Sequence, residues 1–600
     1  MLSRDLKERV AFYIRENPGM SPETAMQKAQ TDALVNNPFI PPTNGCPVND
    51  LPPELLAHIF ELGRQMYEEE EDYEDEDYDD DGLEDDEWET DDEEGDADEE
   101  VDGDADADVL MSSPVKRTAP LPPSGTDAEG SESSSNADSV GSAAEGDEPD
   151  LAFQVLVSHV CRHWRDIALG THTLWTTVRF EGHLNAEKAR AWIQRSNGLP
   201  LDIFIDCTTM HDPAHDHEGD EAAMQGPARA PAPATSALTS PCITLADLIT
   251  IIDMLTPHVA HWRIFEVTVS YYTYMYEVLQ RLSQCPSAPL LEELGLYDYE
   301  DSDEYEVFQP AELATPFTLF HGIAPKLTNV AFWGVHLAWD DSLVLLQGLR
   351  EIELAYHALD VRPSFGAFRA MLAASPDLQL LSLCLSGPTG DMEVVEVPSL
   401  RTLVLCYLDS EYVQPLVRAL VLPALEELTL DFSQEDYTDF AKQLAAPAQG
   451  QTRSLLAGLT GLKLTGLPCD KATSELVMAQ LGQLKMLELN CAEEDDERWF
   501  QFLHRTNGKP PAPNAPMFCP KLETLRLTGI EGTLVRKLVA ARKAAGAPLI
   551  KVSISDRDIV DEKDERWLRA NLDAFSFFEP SDSEEDLAEV DEDDEEMIDD

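Results

Sequence analysis

Leu400-Arg401-Thr402-Leu403-Val404-Leu405 returns further along the chain as Leu425-Glu426-Glu427-Leu428-Thr429-Leu430. Each stretch runs apolar, two variable, apolar, one variable, apolar. The last two apolar positions alternate around one variable residue, as a short strand with one buried face requires. Upstream the unit recurs as Leu378/Leu381/Leu383, Leu349/Ile352/Leu354, Pro325-Lys326-Leu327 with Val330 and Phe332, and Pro289-Leu290-Leu291 with Leu294 and Leu296. Downstream it recurs as Leu459/Leu462/Leu464, Leu484/Leu487/Leu489 and Leu522/Leu525/Leu527. Trp262/Phe265/Val267 and Leu549/Val552/Ile554 are weaker units at either end. The stretches between, such as 342–348 and 411–420, read as helices. A single such unit means little. A series spaced by roughly 22 to 38 residues predicts stacked strand–helix units that share one core.

The series resembles the leucine-rich-repeat family over about half the chain. The resemblance implies an α/β solenoid whose variable strand positions line up on a concave face. Those positions are Glu293, Gly295, Asn329, Ala331, Glu353, Ser382, Val404, Thr429, Lys463, Glu488 and Arg526, which share no strong chemical theme. The turn position after the strand, Asn or Cys in the family, is here Ser386, Leu408, Ser433 or Ile530. An internal Asn ladder is therefore missing, and irregular curvature is expected.

Ahead of the repeats lies a second pattern, cut in two. Leu51-Pro52-Pro53-Glu54-Leu55-Leu56-Ala57-His58-Ile59-Phe60 opens a helix, with Asp50 placed to cap it and the prolines suited to its first turn. Leu151, Val155, Leu156 and Val160 supply a second helix, followed by Cys161-Arg162-His163-Trp164-Arg165, Ile167, Ala168 and Leu174-Trp175. Joined, the halves resemble an F-box, the module that docks on the Skp-type adaptor of cullin-RING ubiquitin ligases, in the form abundant in mushroom-forming fungi. The resemblance implies adaptor docking through Leu51, Pro52, Pro53, Leu55, Leu56, Ile59, Phe60, Val160, Cys161, Trp164 and Arg165. Trp164 and Arg165 are expected to serve the module's own core and cap rather than touch the partner.

The halves are separated by acid. The chain of 600 residues has 116 acidic and 42 basic residues and a net charge of −74, and much of the excess falls at 68–108 and 579–600. Self-repulsion and the lack of anything to bury predict disorder there. A long insertion is tolerable because loop-closure entropy grows only logarithmically. The expected organisation is an N-terminal helix and linker (1–45), the two F-box parts (46–67 and 151–180) around the insertion (68–150), and an entry to the repeats (181–260) with a disordered loop at 208–241. The repeats (261–556), a C-terminal helix or cap (557–578) and an acidic tail (579–600) follow.

So acidic a chain repels nucleic acid and anionic lipid, and basic proteins are its natural electrostatic partners. Ten cysteines without C-x-x-C spacing, no signal-peptide core and no membrane-length apolar run point to a nuclear or cytoplasmic protein. No catalytic motif is found, and neither an enzyme nor a cofactor is expected. His211, His215 and His217 with Asp212 and Asp216 sit in a Pro/Ala-rich loop, which offers no fixed metal geometry. Asp77-x-Asp79-x-Asp81-Gly82 starts like a calcium loop, but Trp88 stands where its glutamate should be. Ser581 and Ser583, ahead of Glu584-Glu585-Asp586, are phosphorylation candidates. The expected function is a non-catalytic substrate-recognition adaptor of an SCF-type ligase. The alternative is an acidic chaperone or scaffold for basic proteins with a vestigial F-box.

Overall fold

The computed structural model describes residues 51–74, 152–182, 184–208, 243–299, 307–433, 435–447, 453–491, 497–504 and 517–579, with Tyr13, Arg15, Lys28 and Val48 besides. Asp50, the expected N-terminal helices, the acidic insertion beyond residue 74, the loop from 209 to 242 with its histidines, the calcium-like run and the tail with Ser581 and Ser583 lie outside the described residues. The chain divides into two compact units. One joins Met1–Asp77 to Phe153–Asp600; the other, Tyr78–Ala152, falls outside the described residues except for its last.

Among the described residues, fourteen strands form one parallel sheet in chain order. They are β1 (Thr177–Phe180), β2 (Leu201–Cys207), β3 (Trp262–Val269), β4 (Glu293–Asp298), β5 (Asn329–Trp333), β6 (Glu351–Ala355) and β7 (Leu380–Cys384), after which β8 (Val395–Glu396) stands aside. The sheet resumes with β9 (Thr402–Cys406); β10 (Leu420–Val421) pairs with β8 alone. It then runs through β11 (Glu427–Asp431), β12 (Gly461–Leu464), β13 (Met486–Asn490), β14 (Thr524–Thr528), β15 (Lys551–Ser555) and β16 (Ala574–Phe578). Each strand pairs with the one before and the one after, which is the order of a solenoid-like stack of repeats. Parallel neighbours need a crossover, and helices such as Tyr272–Gln284, Phe365–Ala373, Thr438–Ala445 and Gly532–Ala544 supply it.

The three apolar positions of each unit are its anchor in the core. Leu378, Leu381 and Leu383 are buried, as are Leu400, Leu403 and Leu405 in the next unit, where they pack with Phe368, Met371, Val413 and Leu416 from the helices. Burying one such leucine is worth roughly 2 kcal/mol. The backbone repeats as faithfully as the leucines. The carbonyl of Glu292 accepts the N–H groups of Thr328 and Asn329, that of Thr328 accepts Arg350 and Glu351, and that of Arg350 accepts Gln379 and Leu380. The same double contact continues, unit by unit, to Ile550.

The turn after the strand explains how the stack manages without an asparagine ladder. Tyr356, Leu385 and Tyr407, each the residue after a strand, sit at φ of 54°, 44° and 51°. Left-handed backbone at a residue with a Cβ costs about 1–2 kcal/mol. In return, each N–H continues the ladder, Tyr356 to Cys384 O, Leu385 to Cys406 O and Tyr407 to Asp431 O, at 2.9–3.0 Å. Ser386 is buried and its hydroxyl lies 2.9 Å from Nδ1 of the buried His357. Burial pushes that imidazole down to about 3, so it is neutral.

Two expectations about elements need correction. Residues 342–348 are not a helix. Only Ser342 is helical, as the last residue of a single turn Trp339–Ser342; from Leu343 the chain runs in turns and bends to Gly348 at φ 72°. The sheet also takes in more of the chain than the units at 261–556. β1 and β2 extend it at the N-terminal edge, and β16 lies beyond the C-terminal end at 574–578.

Candidate functional site

Among the described residues, two surfaces stand open. The first is on the helical module: α1 (Pro53–Glu74), α2 (Phe153–Val160) and α3 (Arg162–Gly170). Pro53 takes the first helical position of α1, and Pro52 O accepts from Leu55 and Leu56 N–H. One face of α1 is spent inside the module. Leu56 and Phe60 are fully buried, and the Phe60 ring lies 5.0 Å from that of Trp164. At Gly63 an added Cβ would stand 2.3 Å from the Phe153 ring, so glycine is what lets α2 approach.

The next face of α1 is bare. Leu55, Ile59, Leu62 and Met66 are 52, 47, 46 and 63% exposed. Their spacing gathers them in a stripe roughly 60° wide on a 3.6-residue helix. Leu156 and Val160 of α2 are exposed as well. No described residue covers this stripe. The residues expected to dock thus separate into two groups. Pro52, Pro53, Leu55, Ile59, Val160 and Arg165 are exposed, with Leu51, Cys161 and Trp164 half-buried, whereas Leu56 and Phe60 are interior. Cys161 caps α3, its sulfur accepting from Trp164 N–H at 3.4 Å, and Arg165 Nε donates to Ser158 O at 3.0 Å. Leu62 and Met66 were missed by sequence reasoning, although they continue the Leu55/Ile59 spacing.

The second surface is the sheet face opposite the leucines. Register sets its rows. Gly295, Ala331, Glu353, Ser382, Val404, Thr429, Lys463, Glu488 and Arg526 form a single line across β4–β14. It continues back through Glu266 of β3 and Phe204 of β2 to Arg179 of β1, whose guanidinium lies 4.7 Å from the centre of the Phe204 ring. Glu293 and Asn329 fall in the parallel row beside it. The row on the other side carries Tyr297 and Trp333. Neither aromatic stands out in sequence. The signal was an aromatic directly after the last apolar strand residue in consecutive units, Leu296-Tyr297 and Phe332-Trp333.

These aromatics cluster. Tyr297, Tyr299 and Tyr356 set their rings 5.2, 5.1 and 5.4 Å from the Trp333 ring, at steep interplanar angles. Gly295 makes room, since a Cβ there would meet Tyr297 at 2.7 Å and Glu266 at 2.9 Å. Trp333 Nε1 donates to Glu353 Oε1 at 2.7 Å. Burial, and then repulsion from neighbouring glutamates, raises the carboxyls of Glu266, Glu293 and Glu353 above their ordinary range. Attraction from Arg179 to Glu266 and from Arg263 to Glu293 opposes this. Farther along, Cys384 and Cys406 are register partners, and their mutual hydrogen bond followed by burial keeps Cys406 a thiol.

Among the described residues, no group of three His, Cys, Asp or Glu is placed to hold a metal ion, and no helix is long and apolar enough to cross a membrane. No family model matches the chain, and no curated protein matches it. A crystal structure of a Bacteroides fragilis protein, a target of the Northeast Structural Genomics Consortium, is similar over 46% of this chain and 75% of its own, at 14% identity and a TM-score of 0.27. A likeness that slight bears no argument.

Proposed function

We propose that the chain is a non-catalytic substrate-recognition adaptor of an SCF-type ubiquitin ligase. In this reading the α1–α3 module is an F-box that docks on a Skp-type adaptor, and the strand–helix stack is a leucine-rich-repeat solenoid that holds target proteins on its open sheet face. The observation that carries it is the bare stripe Leu55–Ile59–Leu62–Met66 on a helix whose neighbouring face is already buried. An apolar helix face of this kind is covered when a partner helix lies against it. The chemistry belongs to other subunits; this chain supplies effective concentration.

The test is co-purification of the full chain with a recombinant Skp adaptor at low and high salt. A stoichiometric complex that survives high salt supports an apolar interface. Leu55→Asp with Ile59→Asp, both exposed, should abolish it and leave the repeats folded, and Leu51→Ala with Pro52→Ala should do the same. A complex that forms only at low salt, or that persists in both double variants, rejects the assignment and favours the acidic scaffold.

A further inference from the structure

The open face over β3–β6 has a chemistry of its own, and it is incomplete. Three tyrosine rings gather on Trp333 at its centre, Tyr297 and Tyr299 edge to face and Tyr356 tilted. Tyr299 is 52% exposed. Glu266 and Glu353 stand at either side in the same row, with only the small Gly295 and Ala331 between them. Three strand spacings set the two residues' backbones about 14 Å apart. Among the described residues, no lysine or arginine forms an ion pair with Glu266, Glu293 or Glu353. Arg263 pairs with Asp202, and Arg179 stacks on Phe204 one strand beyond Glu266, so each attracts the nearby carboxylate only from a distance.

The molecule shows elsewhere what completes such a group. At the other end of the same face, Arg526 lies 3.7 Å from the centre of the Phe578 ring and 3.8 Å from Glu488. A guanidinium over a ring beside a carboxylate is the filled form of the arrangement that β4–β6 leaves open. Arginine suits it better than lysine, because its planar, weakly hydrated head stacks on rings and pairs with a carboxylate at the same time.

We propose that this face binds an arginine side chain of a target polypeptide, its guanidinium lying against the Tyr297–Tyr299–Trp333 rings with Glu266 or Glu353 as its carboxylate. The site names the recognised chemistry of the target as an arginine-bearing basic segment. It deepens the adaptor reading only in taking the open face as the target surface; Skp docking involves none of its residues.

The probe is a fluorescent peptide with alternating arginine and glycine, compared with its citrulline counterpart, which keeps the shape and loses the charge. Binding to the full chain is measured at about 0.3 M NaCl, where exposed acidic runs are screened. The arginine peptide should bind at least about tenfold more tightly than the citrulline peptide. Glu266→Gln with Glu353→Gln, Trp333→Phe and Tyr299→Ala should each weaken it, the double glutamine by about tenfold. Tyr299→Ala removes an exposed ring and keeps the test valid if a change at Trp333 disturbs folding. Unchanged affinity in the double glutamine and Tyr299→Ala variants would place binding in the acidic runs and overturn the site, as would equal affinity for the citrulline peptide. Skp co-purification of the same variants is read alongside. It should be intact in all of them, so a failed F-box and a failed arginine site give different results.

Discussion

Between β3 and β6 the open sheet face carries Glu266, Glu293 and Glu353 beside a knot of aromatic rings, with carboxyls raised by burial and then by nearby acidic groups such as Glu351. Between β12 and β14 the same row carries Lys463, Glu488 and Arg526, where Glu488 stands 3.0 Å from the lysine and 3.8 Å from the arginine. One end of the face holds its carboxylate in direct ion pairs, whereas the other meets its own only with the more distant attraction of Arg179 and Arg263. The buried side does not differ in this way, for the same positions are apolar and buried in both regions, as Phe, Val, Ile or Leu in β3–β6 and as Leu throughout β12–β14. The repeat fixes the scaffold, while the variable positions set the chemistry of the open face, where each region stands on its own.

The largest expected effect tests the shared half of that comparison. Leu296→Ala and Leu487→Ala each truncate a fully buried side chain. Each should destabilise the protein by about 3 kcal/mol, read from the urea midpoint at unchanged slope. Similar losses would show that the two regions share one core. If one substitution melts only part of the signal, the regions unfold separately and the comparison becomes one between two domains.

Next in size is the ion-pair ladder. Glu488→Gln leaves Lys463 and Arg526 facing each other without their carboxylate and should cost about 1 kcal/mol, less at high salt. It should leave arginine-peptide binding unchanged. A loss of peptide binding would mean that the target lies along the whole row, not at β3–β6.

What the sequence made legible follows from which positions repeat. L-x-x-L-x-L exposes strand, register and buried face at once, because each unit must present leucine to the same core. β1 and β2 escaped because Thr177-Val178-Arg179-Phe180 and Leu201–Cys207 do not carry the full leucine spacing, although they meet the sheet in register. The open face was legible as a list of positions but not as a site. Tyr297 and Trp333 lie at register-paired positions near the ends of their strands, whereas Tyr356 lies one residue past its strand, at positive φ. Only the parallel register and that turn bring the rings together. In α1, likewise, spacing marked Leu55, Leu56, Ile59 and Phe60 alike as apolar. Which of them faces inward depends on where Phe153 and Trp164 pack, and a chain cut by a long insertion does not declare that.

The smallest effect sharpens the contrast through pH. A carboxyl whose folded-state pKa lies above its unfolded value binds more protons folded than unfolded between the two, so stability falls as pH rises through that window. Glu353 is such a group, through burial first and repulsion from Glu351 after, partly offset by the Trp333 hydrogen bond. Glu353→Gln keeps an oxygen for Trp333 Nε1 and removes the charge. It should stabilise the protein at pH 7, on the order of 0.5 kcal/mol, and this gain should fade as pH falls through the ordinary carboxylate range. Asp564 has the opposite sign, because its hydrogen bonds with Arg536 and Thr533 hold its carboxyl below the usual range. Asp564→Asn should therefore destabilise at pH 7, and the loss should shrink in acid. Urea midpoints of both variants across pH 3–8 would show two curves of opposite slope. If Glu353→Gln is instead destabilising at neutral pH, its carboxylate is already matched within the fold, and the β3–β6 face has no charge left to offer a partner.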